Sequence, residues 1–162
     1  MHSWKGALVQ VRLAQASDAS GIGKLYPAFL ASYGHHSDQQ SSRQFVAKLL
    51  SEPWVRFFVA TEGGSDIIGF LGGALTYSAV SHGHAFVIND IFVDLSARRR
   101  GVAKALIAAL DDYCRGSGLV KIFVEVSEDA EAVSGMFKRA GYRLQSHLTL
   151  KKELNVGATS KI

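Results

Sequence analysis

Residues 85–106, AFVINDIFVDLSARRRGVAKAL, constrain the fold more than any other stretch. An apolar run ends at Asp94, a short basic loop follows, and Gly101 opens an amphipathic helix. A strand, a loop and a helix N-terminus in that order make an anion site. The first N–H groups of a helix have no intrahelical partner, and the helix dipole adds partial positive charge beside them. Side chains with a β-carbon crowd such a site, so Gly101 and the small Ala103 suit it. Arg98, Arg99 and Arg100 add long-range attraction for an anion.

The 162 residues are enough for one domain with its own core. Hydrophobic residues make up 48% and charged residues 20%, which excludes a disordered chain. The net charge of +4 favours an anionic ligand only mildly, and the basic residues outside 98–100 are scattered. No nucleic-acid partner is expected from that pattern. Cys114 is the one cysteine, so an internal disulfide and a cysteine-based zinc site are excluded, and Cys114 reads as a packing residue. No apolar run approaches the ~20 residues of a membrane span. The N-terminal MHSWKGALV lacks a signal-peptide layout. The expectation is a cytoplasmic chain without a membrane partner.

Periodicity supplies the elements. Leu8–Leu13 alternates like a strand. Ser17 and Asp18 both suit the cap of a following helix that carries Ile22, Leu25, Phe29 and Leu30 on one face. Pro27 implies a kink in that helix or a break into two pieces. Ala31–Asp38 is a loop holding Tyr33, His35 and His36, and a second helix covers Gln39–Ser51. Strands at Val55–Thr61 and Ile67–Tyr77 flank a Gly63-Gly64-Ser65-Asp66 turn. A strand at Ala85–Val93 follows the turn His82-Gly83-His84. The helix after Gly101 runs to about Arg115, where Gly116 and Gly118 end it. Leu119–Val126 reads as a buried strand. Asp129 suits the cap of a helix that Gly141 stops, and Tyr142–Leu150 reads as a final strand. Residues 1–154 form one domain, and Asn155–Ile162 reads as a frayed tail.

The order β-α-α-β-β-β-α-β-α-β and the spacing Arg98-x-x-Gly101-x-Ala103 resemble the GNAT superfamily of N-acetyltransferases, from about Leu8 to Leu150. The family signature is Gln/Arg-x-x-Gly-x-Gly/Ala. The resemblance implies an α/β (α+β) fold. Its sheet is mixed, mostly antiparallel, of six to seven strands with a V-shaped splay, flanked by about four helices. It implies acetyl-CoA as co-substrate, with the pyrophosphate on Arg98, Arg99, Arg100, Gly101, Val102, Ala103 and Lys104. It also implies that main-chain groups of Ile91, Phe92 and Val93 pair with the pantetheine arm in the splay. No metal is implied: His35 and His36 make a pair without a clear third ligand.

Asn89 and Asp90 interrupt an apolar strand, which costs free energy if they are buried without partners. In the family this position lies near the acetyl group. Acyl transfer needs a neutral amine, so Asp90 is a candidate general base and Asn89 a substrate or water ligand. The other reading is that Asp90 closes a structural hydrogen-bond network at a bulge. Glu125 and Tyr33 are candidate acceptor contacts, Tyr33 because its loop borders the acceptor site in the family. Glu125 reads equally as a solvated strand end.

One departure from the family stands out. Its pattern places an Asn eleven residues, and a Tyr four residues, before the helix-ending glycine. Counting back from Gly141 gives Ala130 and Phe137. Phe137 can pack against CoA but cannot give the leaving thiolate a proton, and Tyr142, Ser134 or a water are the substitute donors to consider. The expected function is acetyl transfer to a primary amine of a small molecule, polyamine or amino-acid-like, by direct attack in a ternary complex. The alternatives are a catalytically silent acyl-CoA sensor and a protein or peptide N-acetyltransferase. The sequence leaves the oligomeric state open, a homodimer included.

Overall fold

The computed structural model describes residues 8–64, 66–127, 130–145 and 149–154. In chain order these form β1 (Val9–Leu13), α1 (Ala19–Ala31), α2 (Gln39–Ser51), β2 (Val55–Glu62), β3 (Asp66–Ser78), β4 (Gly83–Val93), α3 (Val102–Gly116), β5 (Lys121–Val124) and α4 (Glu131–Arg139). Short 3-10 turns at Ala16–Asp18 and Leu95–Ala97 lead into α1 and toward α3. The strands make one sheet in the order β1-β2-β3-β4-β5. The first four are antiparallel neighbours, and β5 joins β4 in parallel. Among the described residues no helix is long and apolar enough to cross a membrane.

Both faces of the sheet are covered, so β2 is buried nearly throughout instead of alternating with solvent. Its residues still alternate between two cores. Phe57 and Val59 join Phe70 and Phe92 beneath α1 and α2, where Ile22, Tyr26, Phe29 and Val46 close the layer. Phe58 and Ala60 join Leu71, Phe86 and Ile88 beneath α3, with Leu106, Ile107, Leu110 and Phe137. Burying each of the large α3 side chains contributes at most about 1.5–3 kcal/mol.

Several expectations are corrected. Five strands are described, not six or seven. The expected strand Tyr142–Leu150 is absent from 142–145 and 149–150, and its residues 146–148 lie outside the described residues. Gly141 takes a φ of 93°, and the Tyr142 N–H then bonds back to the Phe137 carbonyl at 3.0 Å. The chain is thus folded onto α4, while Leu144 and Leu150 stand 84% and 94% exposed. A strand without a ladder partner or a covered face has nothing to hold it.

The strand expected as buried over Leu119–Val126 is the shorter β5, half exposed along its length, because its only described strand neighbour is β4. Pro27 does not break α1, which runs through it. Burial of Ile22, Tyr26 and Phe29 against the sheet outweighs the ~3 kcal/mol that an internal proline costs. Asp18 precedes α1, yet its carboxylate accepts from Arg12 and from the Gln15 N–H and makes no cap bond to the helix. Ser65, the expected cap Asp129 and the expected tail Asn155–Ile162 lie outside the described residues.

Candidate active site

β4 leaves the ladder halfway. It pairs with β5 from Ala85↔Lys121 to Ile88↔Val124, and from Asn89 to Val93 β3 is its only strand partner among the described residues. The two parallel strands therefore splay, and a strand edge lines the gap. Such an edge keeps peptide groups available to an extended ligand. Ile91, Phe92 and Val93 lie on it, although the Val93 carbonyl accepts from Arg98 Nε at 3.0 Å.

A bulge sits at the mouth of the splay. Gly73 pairs with Ile88 and Gly72 with Asp90, so Asn89 is the extra residue on β4. One extra residue inverts the alternation that follows it. Phe86 and Ile88 face α3, but Phe92 faces α1 and α2. Asp90 turns the same way as Phe92, and its Oδ2 accepts a hydrogen bond from the Tyr26 hydroxyl of α1 at 2.8 Å. Burial pushes the Asp90 carboxyl above the ordinary carboxylate range, and the hydrogen bond from Tyr26 partly offsets it. Burial, with the Asp90 charge beside it, also raises the Tyr26 hydroxyl strongly, so Tyr26 stays protonated and donates.

Two cavities meet at this point. One, of about 100 Å³, fills the splay and is lined by Ile88, Asn89, Ile91, Val124, Glu125, Ala130, Val133 and Phe137, among others. The second, about 410 Å³, opens toward the α1–α2 loop and is lined by Phe29, Leu30, Tyr33, His35, Asn89, Asp90 and Glu125, among others. Tyr33, Ile88, Asn89 and Glu125 belong to both. Tyr33 stands over Phe29 edge-on at 5.3 Å, and Glu125 Oε1 accepts from Thr149 Oγ1 at 3.2 Å. The larger cavity thus carries two carboxylates and the smaller is mostly apolar.

The loop before α3 has the expected form with one difference. Gly101 caps α3 at φ 82°, in the left-handed region, and a β-carbon there would meet nothing within 4 Å. Backbone conformation, not crowding within the free protein, is what requires glycine. The N–H groups of Val102, Ala103 and Lys104 lie in the first turn of α3, where helices leave donors unpaired. Arg99 is also left-handed, at φ 62°, and exposed. Arg98 folds back over the Phe92 ring at 5.4 Å, and Arg100 pairs with Glu62 at the end of β2. Two of the three arginines are therefore tied to the sheet.

Phe137 and Ala130 do line the splay, on the wall supplied by α4. Phe137 is only 2% exposed and carries no proton donor into the cleft. Tyr142 does not replace it, since its hydroxyl donates to Asp111 Oδ1 at 3.1 Å. Ser134 lies on α4 but is not part of the cavity lining. Cys114 is buried in the α3 core, and desolvation pushes its thiol up to about 11, which suits packing and not nucleophilic attack. Sequence reasoning missed Tyr26. Its spacing from Ile22 and Phe29 places it on the buried face of α1, but nothing local shows a partner 64 positions away.

Residues 22–142 match the family described as Acetyltransferase (GNAT) family. The chain is 28% identical over 134 residues to the uncharacterized N-acetyltransferase YhfO of Bacillus subtilis strain 168, covering 83% of this chain and 89% of that one. A crystal structure of a probable acetyltransferase superposes with a TM-score of 0.83 at 24% identity, covering 91% and 99% of the two chains. The aminoglycoside N-acetyltransferase AAC(6')-Iy in complex with CoA gives a TM-score of 0.76 at 18% identity, covering 94% and 99%. At those identities the two structures speak for the fold.

Proposed function

Since this chain belongs to the GNAT acetyltransferase family, we propose that it is an N-acetyltransferase that moves the acetyl group of acetyl-CoA to a primary amine of a small cationic acceptor. The observation that carries this reading is the junction of an apolar cleft with a carboxylate-lined cavity at Asn89 and Glu125. The pyrophosphate would lie on the first turn of α3 and its preceding loop. The pantetheine arm would run along Ile91–Val93 and over Phe137, bringing the thioester to Asn89. A polyamine or an amino-acid-like amine suits the larger cavity, because Asp90 and Glu125 attract a cation and Tyr33 offers an aromatic wall. The structure of AAC(6')-Iy in complex with the bisubstrate analogue CoA-S-monomethyl-acetylneamine supports small amines as a class reachable on this fold.

The acceptor arrives as an ammonium ion and must lose a proton to attack. Asp90 takes that proton on the oxygen that Tyr26 does not hold, directly or through one water. The amine nitrogen then bonds to the acetyl carbon, the C–S bond breaks, CoA leaves as thiolate, and the nitrogen gives its surplus proton to solvent water to become the neutral amide. A carboxyl raised by burial is the better base, since its basicity lies closer to the working pH. Asn89, exposed beside the junction, is placed to bind the acceptor or that water. With Phe137 in the cleft wall the thiolate takes its proton from solvent after departure.

The apolar Ala130 and Phe137 favour one competing reading, a silent acyl-CoA sensor. Thiol release from acetyl-CoA with a panel of diamines, amino acids and aminoglycosides separates the two. Amine-dependent thiol release supports the transferase. Binding of acetyl-CoA with no amine-dependent thiol supports the sensor.

A further inference from the structure

We infer that Tyr26 is a positioning residue for acyl transfer: it holds one oxygen of Asp90 from beneath the sheet, so that the other meets the acceptor amine as an ionised base. This rests on the reading of Asp90 as the base and adds a residue that makes no contact with the cavity.

The geometry is specific. The Tyr26 ring is 4% exposed, stacked on Phe70 at 5.5 Å and 16° and met edge-on by Phe29 at 5.3 Å. Phe45 closes the remaining side at 5.9 Å. Three aromatic contacts hold the ring, and its hydroxyl donates to Oδ2 of Asp90 at 2.8 Å. The bulge at Asn89 is what turns Asp90 toward it. A carboxylate on the α1 side of β4 would otherwise sit in an aromatic layer, where the charged form is costly. A donated hydrogen bond favours the charged form, and Tyr26 is the cause acting in that direction on Asp90. Oδ2 is thereby spent on the protein, and Oδ1 remains for the cavity that Asp90 lines.

Among the described residues, the other titratable groups lining the cavity with Asp90 are Tyr33 and His35 from the α1–α2 loop and Glu125 beyond β5. On β3 the facing residue is Gly72, which carries none. Those groups are the same in wild type and in Tyr26→Phe, so the difference between the two pH profiles reports on Asp90.

The test is kcat/KM for an amine substrate against pH, with acetyl-CoA affinity and melting temperature measured on the same samples. Tyr26→Phe should keep acetyl-CoA affinity and move the acid limb upward by about one to two pH units. Activity should be lost below the new limb and recovered above it. Placing 3-fluorotyrosine at position 26 keeps the ring and makes a stronger donor, and should move the limb downward. An unchanged limb in the fluorinated protein, or a Tyr26→Phe protein that only melts lower and is equally slow at every pH, overturns the inference. Asp90→Asn separates its failure from that of the base reading. If Asp90→Asn keeps the wild-type rate and profile, the base reading falls. If Asp90→Asn loses activity while the Tyr26 variants keep the wild-type limb, only the role of Tyr26 falls.

Discussion

The ring of Phe137 meets the ring of Tyr142 edge-on at 5.1 Å, and the Tyr142 hydroxyl is directed away to Asp111. The two residues close the end of α4 as an apolar plug, with Gly141 making the tight return between them. Burial and the Asp111 charge raise the Tyr142 hydroxyl well above its ordinary value, so it is a poor proton donor for a thiolate. The cleft wall thus has a ring where the family pattern has a phenol.

Phe137→Tyr should therefore add the missing donor. The expected result is an unchanged acetyl-CoA affinity and a kcat raised by up to about 10²-fold, the low end of what a positioned acid contributes. Steady-state thiol release gives the rate and a melt gives the cost. An unpaired buried hydroxyl costs about 1–3 kcal/mol. A lower melting temperature with no gain in kcat would place Phe137 in the sealed core and remove it from the cleft.

Two substitutions at Gly101 separate conformation from space. Gly101→Ala puts a β-carbon into the open but holds it at φ 82°, so it should cost about 1–2 kcal/mol and keep the acetyl-CoA-induced shift in melting temperature. Gly101→Glu should abolish that shift, because a carboxylate then occupies the anion position. For wild type at a hundredfold excess over Kd the stabilisation is about 2.7 kcal/mol. A normal shift in Gly101→Glu would move the pyrophosphate off this loop.

Residues 85–116 were readable because strand, turn and helix each have a strong local signal there. The apolar run, the loop glycine and the 3.6-residue period agree, and the structure follows them to within two residues. Asn89 and Asp90 were readable only as an anomaly. Which face they take depends on the bulge opposite Gly72 and Gly73, where a β-carbon on Gly73 would collide with the Val87 carbonyl oxygen. That condition is set across the sheet and leaves no mark near residue 90. The final strand is not formed over its described residues, for the converse reason. Tyr142–Leu150 has a strand-like pattern, but alternation states a preference and the ladder partner decides. Tyr26 looked like any core aromatic, since a hydroxyl's distant partner is invisible in one sequence.

Asp18 gives an acid-side prediction. The hydrogen bond from Arg12 holds its carboxyl below the ordinary range against partial desolvation, with the Gln15 N–H adding to it. A depressed carboxyl stabilises the fold above its unfolded value near pH 4, and that contribution disappears as pH falls through the folded value. Asp18→Asn should melt lower by a few degrees at pH 7 and converge with wild type below about pH 3. Arg12 is half-exposed, so solvent screening keeps the effect near 1 kcal/mol. A difference that persists unchanged at pH 3 would assign it to packing and not to charge.

Asp90 has the opposite sign, and this makes its two roles separable. Its folded carboxyl is raised by burial, so the folded state holds its proton more tightly than the unfolded chain does. Stability from that proton is present at low pH and is lost as pH rises through the folded value. Once ionised, Asp90 is thus a cost to the fold, offset in part by Tyr26. Asp90→Asn removes the charge and keeps the shape. It should melt a few degrees higher than wild type at pH 7–8, and the gain should vanish toward pH 4. Over the same range kcat/KM for the amine should fall by about 10²-fold or more, with acetyl-CoA affinity unchanged. The loss should shrink as pH approaches the amine's own pKa, where the acceptor is already neutral. Stability and activity then move in opposite directions, as at sites where a strained group is kept for chemistry. A variant that melts lower and is equally slow at every pH would make Asp90 a structural residue and leave Glu125 or a bound water as the base.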